Sequence, residues 1–569
     1  MLTFLIDGWE DKLKRSLYGT MATQVGQYPI ILSLEDMSGE RGTADGLFGV
    51  MRKALGTMEL EDGRNFVALT ADNPTVMQKF KRLVTASDSF YWILPFVCFL
   101  HSLNLIIGKI ASYPLMKKII SQTTRVVVYF NNSHYWGGQL QKAAEGMEIK
   151  RKMKQNCESR WYAMTLQSLS VLEHRPALTS ICLRPDAAKK MQGLSEVSKD
   201  VRNTVLYDAA YWPHLDQLIR TTKPIVDAIG NLESRDAMLA DCMLELIRCA
   251  QAMSKLELNI DEGHDIGFFN HTKAVFNRQF HNINTARHSL VLFLHPLCRS
   301  LAIGQAASGR SFKFMVETAL GIAEQLHWSN EQSLALTRDP KDYHEGRGVW
   351  SGGSKDALDW WRSRPVSAKD HPLKTLSVLL ASIHPHHTAD VEHMFSGLNG
   401  VQSAKRVNLS VPTFEALGKC RSHYARELWD LNKKNGKSTH RKHAHMHTRE
   451  DVGIDTDLAT NLEKTFSFVP PLAIVHDESM NDEGLESITM EELEEAFTTV
   501  ALRVKENVEV VDVDGREVLE GNFYNFDELE AIDQGVFVST FDDGEPAVPH
   551  GDGTEPTWTI SSIMEQSGF

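Results

Sequence analysis

The stretch from residue 65 to residue 80 restricts the fold more than any other part of this sequence. It reads NFVALTADNPTVMQKF, and the five residues Phe66–Thr70 have the composition of a buried strand. Asp72 follows, then Asn73-Pro74, after which apolar residues recur at helical spacing. A carboxylate at the junction of a buried strand and a helix either caps the helix or is held as a ligand at the edge of a sheet.

The first hundred residues predict a mixed sheet covered by helices, an α/β (α+β) architecture. Apolar and β-branched runs predict five strands, at Leu2–Asp7, Ser16–Val25, Tyr28–Leu34, Phe66–Thr70 and Trp92–Val97. Gly26-Gln27 predicts a tight hairpin between the second and third strands. Helical spacing predicts three helices, at Thr43–Met58 with Thr43 as its cap, at Thr75–Val84 and near Phe99–Ala111.

Helical periodicity dominates residues 113–350, which predicts an all-helical domain after a first domain of residues 1–112. A Gly-rich polar loop is predicted at 339–356, followed by helices at 357–379, 389–398 and 411–429, the last one capped by Thr413. Residues 431–450 predict a basic, His-rich linker. Residues 451–569 predict an acidic, mostly disordered tail with a hairpin around Asp514-Gly515.

One apolar segment has to be distinguished from a membrane span. Residues 89–108 lack Asp, Glu, Lys and Arg but contain Pro95, His101 and Asn104, which fit a bilayer centre poorly. We therefore interpret the segment as a buried strand and an amphipathic helix, and we expect no membrane partner. The seven scattered cysteines favour reduced thiols in an intracellular protein.

The charge is divided unevenly along the chain. Residues 451–569 hold 29 Asp and Glu against 4 Lys and Arg, a net charge of −25. Residues 1–450 hold 45 acidic and 56 basic residues, a net charge of +11. A basic body is compatible with a polyanionic partner such as DNA, although a solvated surface without a partner has the same composition.

Two predicted strands end in aspartate, at Asp7 and at Asp72. If the first and fourth strands are neighbours, these carboxylates lie side by side, and such a pair is costly unless a cation neutralises it. Hard cations such as Mg²⁺ bind carboxylate oxygens, and a pair of them serves phosphodiester chemistry. The alternative is that Asp72 only caps the helix that follows it.

Six segments, in this order, resemble the ribonuclease-H-like catalytic domain of hAT-superfamily DNA transposases. They are FLIDGWEDKLKRSLYG, VALTADNPTVMQKFKRLV, FVCFLHSLNLIIGKI, ESRWYAM, LDWWRSRP and HPLKTLSVLLASIHPHHTADVEHMFSG. Together with the succession of strands, the resemblance implies a five-stranded mixed sheet of order 3-2-1-4-5. The helical insertion at 113–350 would interrupt this domain, and residues 351–430 would complete it and supply a dimerisation region.

The resemblance also implies functional residues. Asp7, Asp72 and Glu392 would form an Asp-Asp-Glu triad that binds two Mg²⁺ (or Mn²⁺) ions and cleaves or transfers DNA strands. Without the resemblance, Glu392 reads as a solvated residue in the first turn of a helix. Arg160 and Trp161 would contact DNA, since an arginine pairs with a phosphate and an indole stacks on a base. Cys98 and His101 would support the active site and contact DNA ends.

These additional residues have structural alternatives. Cys98 and His101 share a helix face at i, i+3 spacing, and core packing explains them equally well because no second ligand pair completes a zinc site. Trp161 has the alternative of a core tryptophan, and Trp360-Trp361 is interpreted as core or dimer packing. The residues of the basic linker that predict nuclear localisation are Lys433, Lys434, Lys437, Arg441 and Lys442. The histidines interpreted as a solvated linker are His443, His445 and His447.

The sequence departs from the family in three respects, one of which is the acidic tail. Family members usually carry an N-terminal BED zinc finger that reads transposon DNA, and no such spacing precedes the first strand here. His393 stands where the family usually has an arginine after the catalytic glutamate. Two interpretations follow. One is a nuclear, homodimeric or higher homo-oligomeric enzyme of transposable-element origin; the other is a domesticated, catalytically silent DNA-binding or dimerising scaffold.

Overall fold

The computed structural model describes most of the chain up to residue 435 and a short C-terminal segment. The described residues are 1–40, 42–59, 63–149, 152–154, 161–190, 196–233, 235, 237–283, 285–303, 311–354, 356–384, 388–402, 409–435 and 558–568. Arg160, the three histidines of the basic linker and the hairpin expected around Asp514-Gly515 lie outside these ranges.

The described chain has a mixed α/β architecture with one sheet and a larger helical part. The strands are β1 (Leu2–Glu10), β2 (Ser16–Thr23), β3 (Ile30–Asp36), β4 (Phe66–Ala71) and β5 (Leu94–Val97). The helices are α1 (Ala44–Thr57), α2 (Thr75–Thr85), α3 (Phe99–Ala111), α4 (Pro114–Asn132), α5 (His134–Gly146), α6 (Trp161–Glu173), α7 (Arg175–Cys182), α8 (Pro185–Ala188), α9 (Lys199–Arg202), α10 (Tyr211–Leu232), α11 (Leu239–Ser254), α12 (Ile266–Ile283), α13 (Ala286–Phe293), α14 (Arg299–Ala302), α15 (Phe312–Gln325), α16 (Asn330–Leu336), α17 (Asp339–Glu345), α18 (Ala357–Arg362), α19 (Pro372–Ala381), α20 (Ala389–Val401), α21 (Val411–Lys434) and α22 (Ile560–Ser567).

The sheet has the order β3-β2-β1-β4-β5, which confirms the predicted order. β1 pairs antiparallel with β2 and parallel with β4, where Leu5 lies opposite Thr70. The parallel strands β4 and β5 are joined by a crossover through α2, whereas β2, β3 and α1 lie between the parallel strands β1 and β4. β1 is longer than predicted and continues beyond Asp7, because its end keeps pairing with β2 up to Glu10 opposite Ser16.

The tight hairpin predicted at Gly26-Gln27 is wrong. β2 ends at Thr23 and β3 begins at Ile30, so the connection is longer than two residues. The Gly26 N–H donates to the carbonyl oxygen of Arg235 at 2.7 Å, and this long-range bond holds the connection in place. The sequence pattern carried no sign of that partner.

Helices cover both faces of the sheet, because successive side chains of a strand point to opposite faces. Phe4 and Ile6 of β1 pack in the cluster formed with α1 and α2. Leu5 packs on the other face with residues of α20 and α21, among them Phe395. Asp7 follows Leu5 by two residues and therefore belongs to the α20 face.

The described residues from 114 to 381 form helices and short turns with no strand among them, as the periodicity predicted. The polar loop predicted at 339–356 is wrong in its first half, where α17 forms. Pro340 occupies the first turn of α17, and Gly346, with a φ of +66°, ends it. The helix predicted over 357–379 is two helices, α18 and α19, and Pro365 lies between them.

The packing of the pair Trp360-Trp361 was predicted from the sequence. Trp361 is fully buried, and its indole N–H donates to the Leu294 carbonyl at 2.7 Å, so core packing is confirmed for the pair Trp360-Trp361.

α21 is capped by Ser410, whose hydroxyl accepts the Thr413 N–H, and not by Thr413 as predicted. None of the described helices is both long and apolar enough to cross a membrane.

The end of the chain adds a packed segment to the region expected to be an acidic, mostly disordered tail. Residues 558–568 contain α22, and they pack on α15 and α16 of the helical region. Ile563 and Met564 of this helix belong to the main hydrophobic core. The tail therefore includes a structured segment that its acidic composition did not predict.

Candidate carboxylate site at the sheet edge

β1 and β4 place two aspartates side by side where their parallel pairing ends. Leu5 opposite Thr70 is the last pair, and Asp7 and Asp72 each lie two residues further on. Two steps along a strand return to the same face of a sheet. Both carboxylates therefore belong to the side on which α20 packs.

The alternative that Asp72 caps the following helix is wrong. α2 has Pro74 at its N-cap position and no side-chain hydrogen bond to its first turn. The Asp72 Oδ1 atom is buried without a hydrogen-bond partner among the described residues. Its Oδ2 atom lies 3.7 Å from Nδ1 of His101. Because a buried carboxylate oxygen without a donor is costly, capping does not explain why an aspartate stands here.

α20 brings Glu392 to the same edge. Glu392 lies half-buried in the first turn of α20, which packs over β1 and β2. This close packing depends on Gly19, the β2 residue that pairs with Asp7. A β-carbon at Gly19 would overlap the Met394 methyl group and lie 2.9 Å from the Phe395 ring. A glycine at this position therefore allows α20 to approach the strand that carries Asp7.

The three carboxylates affect one another electrically. Burial, followed by the negative charges of Asp72 and Glu392, raises the pKa of Asp7 well above its ordinary value. The Gly8 N–H, 2.8 Å from Asp7 Oδ1, and a hydrogen bond from the Thr388 side chain act in the opposite direction. Folding thus concentrates like charges where solvent screens them poorly, an arrangement that is common at functional sites.

Lys81 supports the end of β4 from within the protein. It is 7% exposed, and its ammonium group donates to the carbonyl oxygens of Ala71 and Asp72 at 3.2 and 2.9 Å. Burial lowers the pKa of Lys81 to about 8, although the negative charge of Asp72 acts to raise it. Lys81 fixes the backbone that carries Asp72 and partly balances the negative charge of the site.

Thr388 is a residue of this site that sequence reasoning missed. Its side chain hydrogen-bonds to Asp7, and its backbone N–H donates to the Cys98 sulfur at 3.4 Å. The same sulfur accepts the His101 N–H at 3.4 Å and so caps α3. Thr388 therefore connects β1, α3 and α20 at one point. A threonine just before a helix is normally read as a cap, but its side chain makes no capping bond here.

The residues predicted to contact DNA differ in their accessibility. Cys98 is 1% exposed, and burial raises the pKa of its thiol, so its side chain packs inside the protein. This corrects the expectation that Cys98 contacts DNA. The His101 side chain is 31% exposed beside Asp72 and is accessible to a ligand at this edge. Trp161 is the first residue of α6, and its DNA contact, like that of Arg160, stays a prediction.

The donor chemistry of the site fits a hard divalent cation. All three acids offer oxygen atoms, and Asp72 Oδ1 is buried without a hydrogen-bond partner in the described part of the chain. Among the described residues, however, no three His, Cys, Asp or Glu side chains are close enough together to form a metal-binding group. Asp7, Asp72 and Glu392 are thus an open set of ligands, which would have to draw closer together around Mg²⁺.

A cavity of about 520 Å³ lies elsewhere, in the helical region. Its walls include Arg175, Trp212, Asp216, Glu262 and His264, and none of the three carboxylates lines it. Ligand sites are often the best-formed concave pockets of a protein. The cavity and the clustered acidic residues therefore lie in different parts of the molecule. The acidic cluster is the stronger candidate site, because burying like charges together destabilises the folded state and so calls for a functional reason.

No model of a known protein family matches this chain, and no curated protein is significantly similar to it in sequence. The resemblance to hAT transposases therefore depends on the six sequence segments and their order.

Proposed function

We propose that this protein is a DNA-binding enzyme derived from an hAT-like transposase, with a ribonuclease-H-like domain that cleaves or transfers DNA strands. Asp7, Asp72 and Glu392 would act with Mg²⁺. The observation that carries the proposal is the buried Asp7, whose pKa is raised by burial and by the charges of the other two acids. Natural proteins place like charges together mainly where function requires them. The order of the strands supports the ribonuclease-H-like assignment.

The residues of the site would divide the work. When bound, Mg²⁺ ions activate a water or hydroxyl and stabilise the leaving oxygen of a phosphodiester. Asp72 would offer its unpartnered Oδ1 and Glu392 its carboxylate from α20. Thr388 orients Asp7 through its side-chain hydrogen bond. His101, beside Asp72 Oδ2, would orient that carboxylate, as groups behind metal ligands commonly do.

The catalytic proposal is tested by nicking of supercoiled plasmid with the full chain. We expect nicked product in Mg²⁺, none in EDTA, and a rate at least about a hundredfold lower for Asp72→Ala, because a ligand of the cation is lost. Asp88→Ala is the matched control, since it removes an exposed aspartate, and it should keep the wild-type rate. Nicking that persists in Asp72→Ala would come from a contaminant and would contradict the proposal.

We also propose that the basic body binds duplex DNA with little sequence preference and that the acidic tail weakens this binding. Residues 1–450 carry a net charge of +11 and residues 451–569 a net charge of −25. Binding that neutralises phosphates releases counterions, so the affinity should fall steeply with salt. A tethered anionic segment competes for the same surface at high effective concentration.

The deletion that tests the tail should keep the packed C-terminal segment. A chain without residues 451–555 retains Trp558 and α22 and loses most of the acidic residues. In a salt titration this variant should bind duplex DNA more tightly than the full chain, with the largest difference at low ionic strength, where screening is weakest. Equal affinities at every salt concentration would contradict the inhibitory role of the tail.

A second function, a catalytically silent dimerising scaffold, is favoured by an apolar stripe on α21. Leu417, Tyr424, Leu428 and Leu431 recur at helical spacing, and all four are exposed, Tyr424 by 70%. A contiguous exposed apolar face commonly marks an interaction surface. A dimer in sedimentation velocity that Leu428→Glu with Leu431→Glu converts to a monomer, together with no nicking by the wild type, would favour this function over the enzyme.

A further inference from the structure

The C-terminal residues differ sharply in composition from the acidic stretch that precedes them. Residues 451–557 hold 28 Asp and Glu against 4 Lys and Arg, whereas residues 558–569 contain a single charged side chain, Glu565. The segment reads WTISSIMEQSGF, with a large aromatic residue followed by four large apolar ones. Such a change from charged to apolar side chains is typical of a segment that packs against a surface.

Residues of the segment itself define where α22 begins and ends. Thr559 and Ser562 form a capping box, in which each side chain bonds to the backbone N–H of the other residue. Gly568, with a φ of +77°, ends α22 in the left-handed conformation that glycine favours. Helices of this length are marginal in water on their own, so the helix needs the surface against which it packs.

The packing is anchored at the first residue of the segment and at its middle. Trp558 is 4% exposed, and its indole N–H donates to the Trp328 carbonyl oxygen at 2.9 Å. Ile563 is fully buried and Met564 is 4% exposed, and both lie in the main core. Thr559 and Glu565, on the opposite side, are exposed.

The receiving surface is complementary to the segment. It is formed by α15 and α16 and by the turn between them, which contains Trp328. The Ile560 side chain lies against Gly321 of α15, where a β-carbon would be 3.9 Å from the Ile560 Cδ1 atom. A carbonyl oxygen that accepts an indole N–H beside apolar side chains is an arrangement suited to a short amphipathic helix that carries a tryptophan.

We propose that the surface of α15, α16 and Trp328 is a recognition site for a short amphipathic helix with a leading tryptophan, occupied by this chain's own C-terminal segment. The contact is a reversible intramolecular one. A peptide of the same sequence therefore competes with the tethered segment for the site. The inference does not rest on DNA binding or on the carboxylate site.

The experiment measures fluorescence anisotropy of a labelled peptide of residues 556–569 against the full chain. The full chain with Trp558→Ala should bind the peptide about tenfold or more tightly than the wild-type chain, because its own segment no longer occupies the site at high effective concentration. A chain with Glu565→Gln is the matched control and should behave as the wild type, since Glu565 is exposed. A peptide in which the tryptophan is alanine should not bind either chain.

Two further variants keep the test decisive. Gly321→Trp in the Trp558→Ala chain fills the place of Ile560 and should abolish binding of the peptide. If the Trp558→Ala chain loses its helical circular dichroism, Ile563→Asp replaces it, because it removes the other buried anchor of the segment.

Three results would overturn the proposal. Equal peptide affinity of the wild-type and variant chains would show that the segment does not compete for this site. No binding by the variant chain at millimolar peptide would show that the surface is not a recognition site. A dimer that Trp558→Ala dissociates would show that the segment occupies a second copy and not its own chain.

Discussion

Acidic side chains are buried both in the helical region and at the sheet edge, but their hydrogen-bond partners and neighbouring charges differ. In the helical region, Glu245 accepts hydrogen bonds from Arg248 and, at 3.1 Å, from the Asn231 amide. Asp241 accepts the backbone N–H of Met238 at 2.7 Å. Each of these acids therefore has donors within the chain, although burial and the nearby charge of Glu245 still raise the pKa of Asp241 to about 6.

At the sheet edge, the neighbours of one buried acid are two further acids. Asp7 interacts unfavourably with Asp72 and Glu392, and the buried oxygen of Asp72 has no hydrogen-bond partner among the described residues. A paired charge stabilises or specifies a structure, whereas a cluster of like charges is a cost. The acids of the helical region have hydrogen-bond donors in the fold, whereas for those of the sheet edge we propose that a cation balances the charge.

The largest effect is expected in the helical region. Glu245→Gln removes the negative partner of Arg248, whose side chain is 12% exposed, and should lower the free energy of unfolding by about 3–5 kcal/mol, as measured by urea denaturation. Glu257→Gln, an exposed neighbour in sequence, should change it by less than about 0.5 kcal/mol. A loss below about 1 kcal/mol for Glu245→Gln would remove the contrast between the two regions.

Acid pH should destabilise the helical region through His288. Burial and the charge of Arg287 lower the pKa of His288 to about 4, against about 6.5 for an unfolded histidine. The unfolded chain then binds the proton more tightly. Stability contributed above pH 6.5 is therefore lost as the pH falls towards 4, by on the order of 3 kcal/mol.

The pH dependence is measured by urea denaturation at pH 7, 6, 5 and 4. His288→Gln should flatten this part of the profile, whereas His134→Gln, at an exposed position, should leave it unchanged. At the sheet edge the sign is opposite, because the raised pKa of Asp7 favours its protonated form in the folded chain. An unchanged slope in His288→Gln would show that this histidine is not held neutral.

A smaller effect is expected from glycine substitution under α20. Gly19→Ala places a methyl group against Met394 and Phe395 and should lower the free energy of unfolding by about 1–3 kcal/mol. Gly49→Ala, in a part of α1 with no atoms near the new methyl group, should instead raise it by about 0.5–1 kcal/mol. Equal signs for the two changes would mean that Gly19 does not control the approach of α20.

The five strands were predictable because each has its own local pattern of apolar residues, and their order followed from that succession together with the family resemblance. The prediction that Asp7 lies beside Asp72 followed from that order. The position of Glu392 near the two aspartates was predicted only from the family resemblance. A half-buried glutamate at the start of a helix gives no local sign that it lies near a sheet edge far away in the sequence. Local patterns thus predicted elements and their succession, and only the resemblance connected the distant acid to them.

The errors share a physical cause, which is that long-range partners override local patterns. Gly26-Gln27 reads as a hairpin, but the connection is held by Arg235. Thr388 was missed because its partner, Asp7, lies far away in the sequence. The segment after Trp558 follows an acidic stretch and is too short for a stable helix alone, so only the surface that it contacts reveals it.

The most direct test of the carboxylate site is the stability of wild-type and Asp7→Asn chains in EDTA and in Mg²⁺, measured by urea denaturation with Asp88→Asn as a control. In EDTA, Asp7→Asn should be more stable than the wild type by on the order of 1 kcal/mol, because a buried like charge is removed. Mg²⁺ should stabilise the wild type through binding to the folded state and should have little effect on Asp7→Asn. Lower stability of Asp7→Asn in EDTA, with no effect of Mg²⁺ on either chain, would contradict a cation site at Asp7, Asp72 and Glu392.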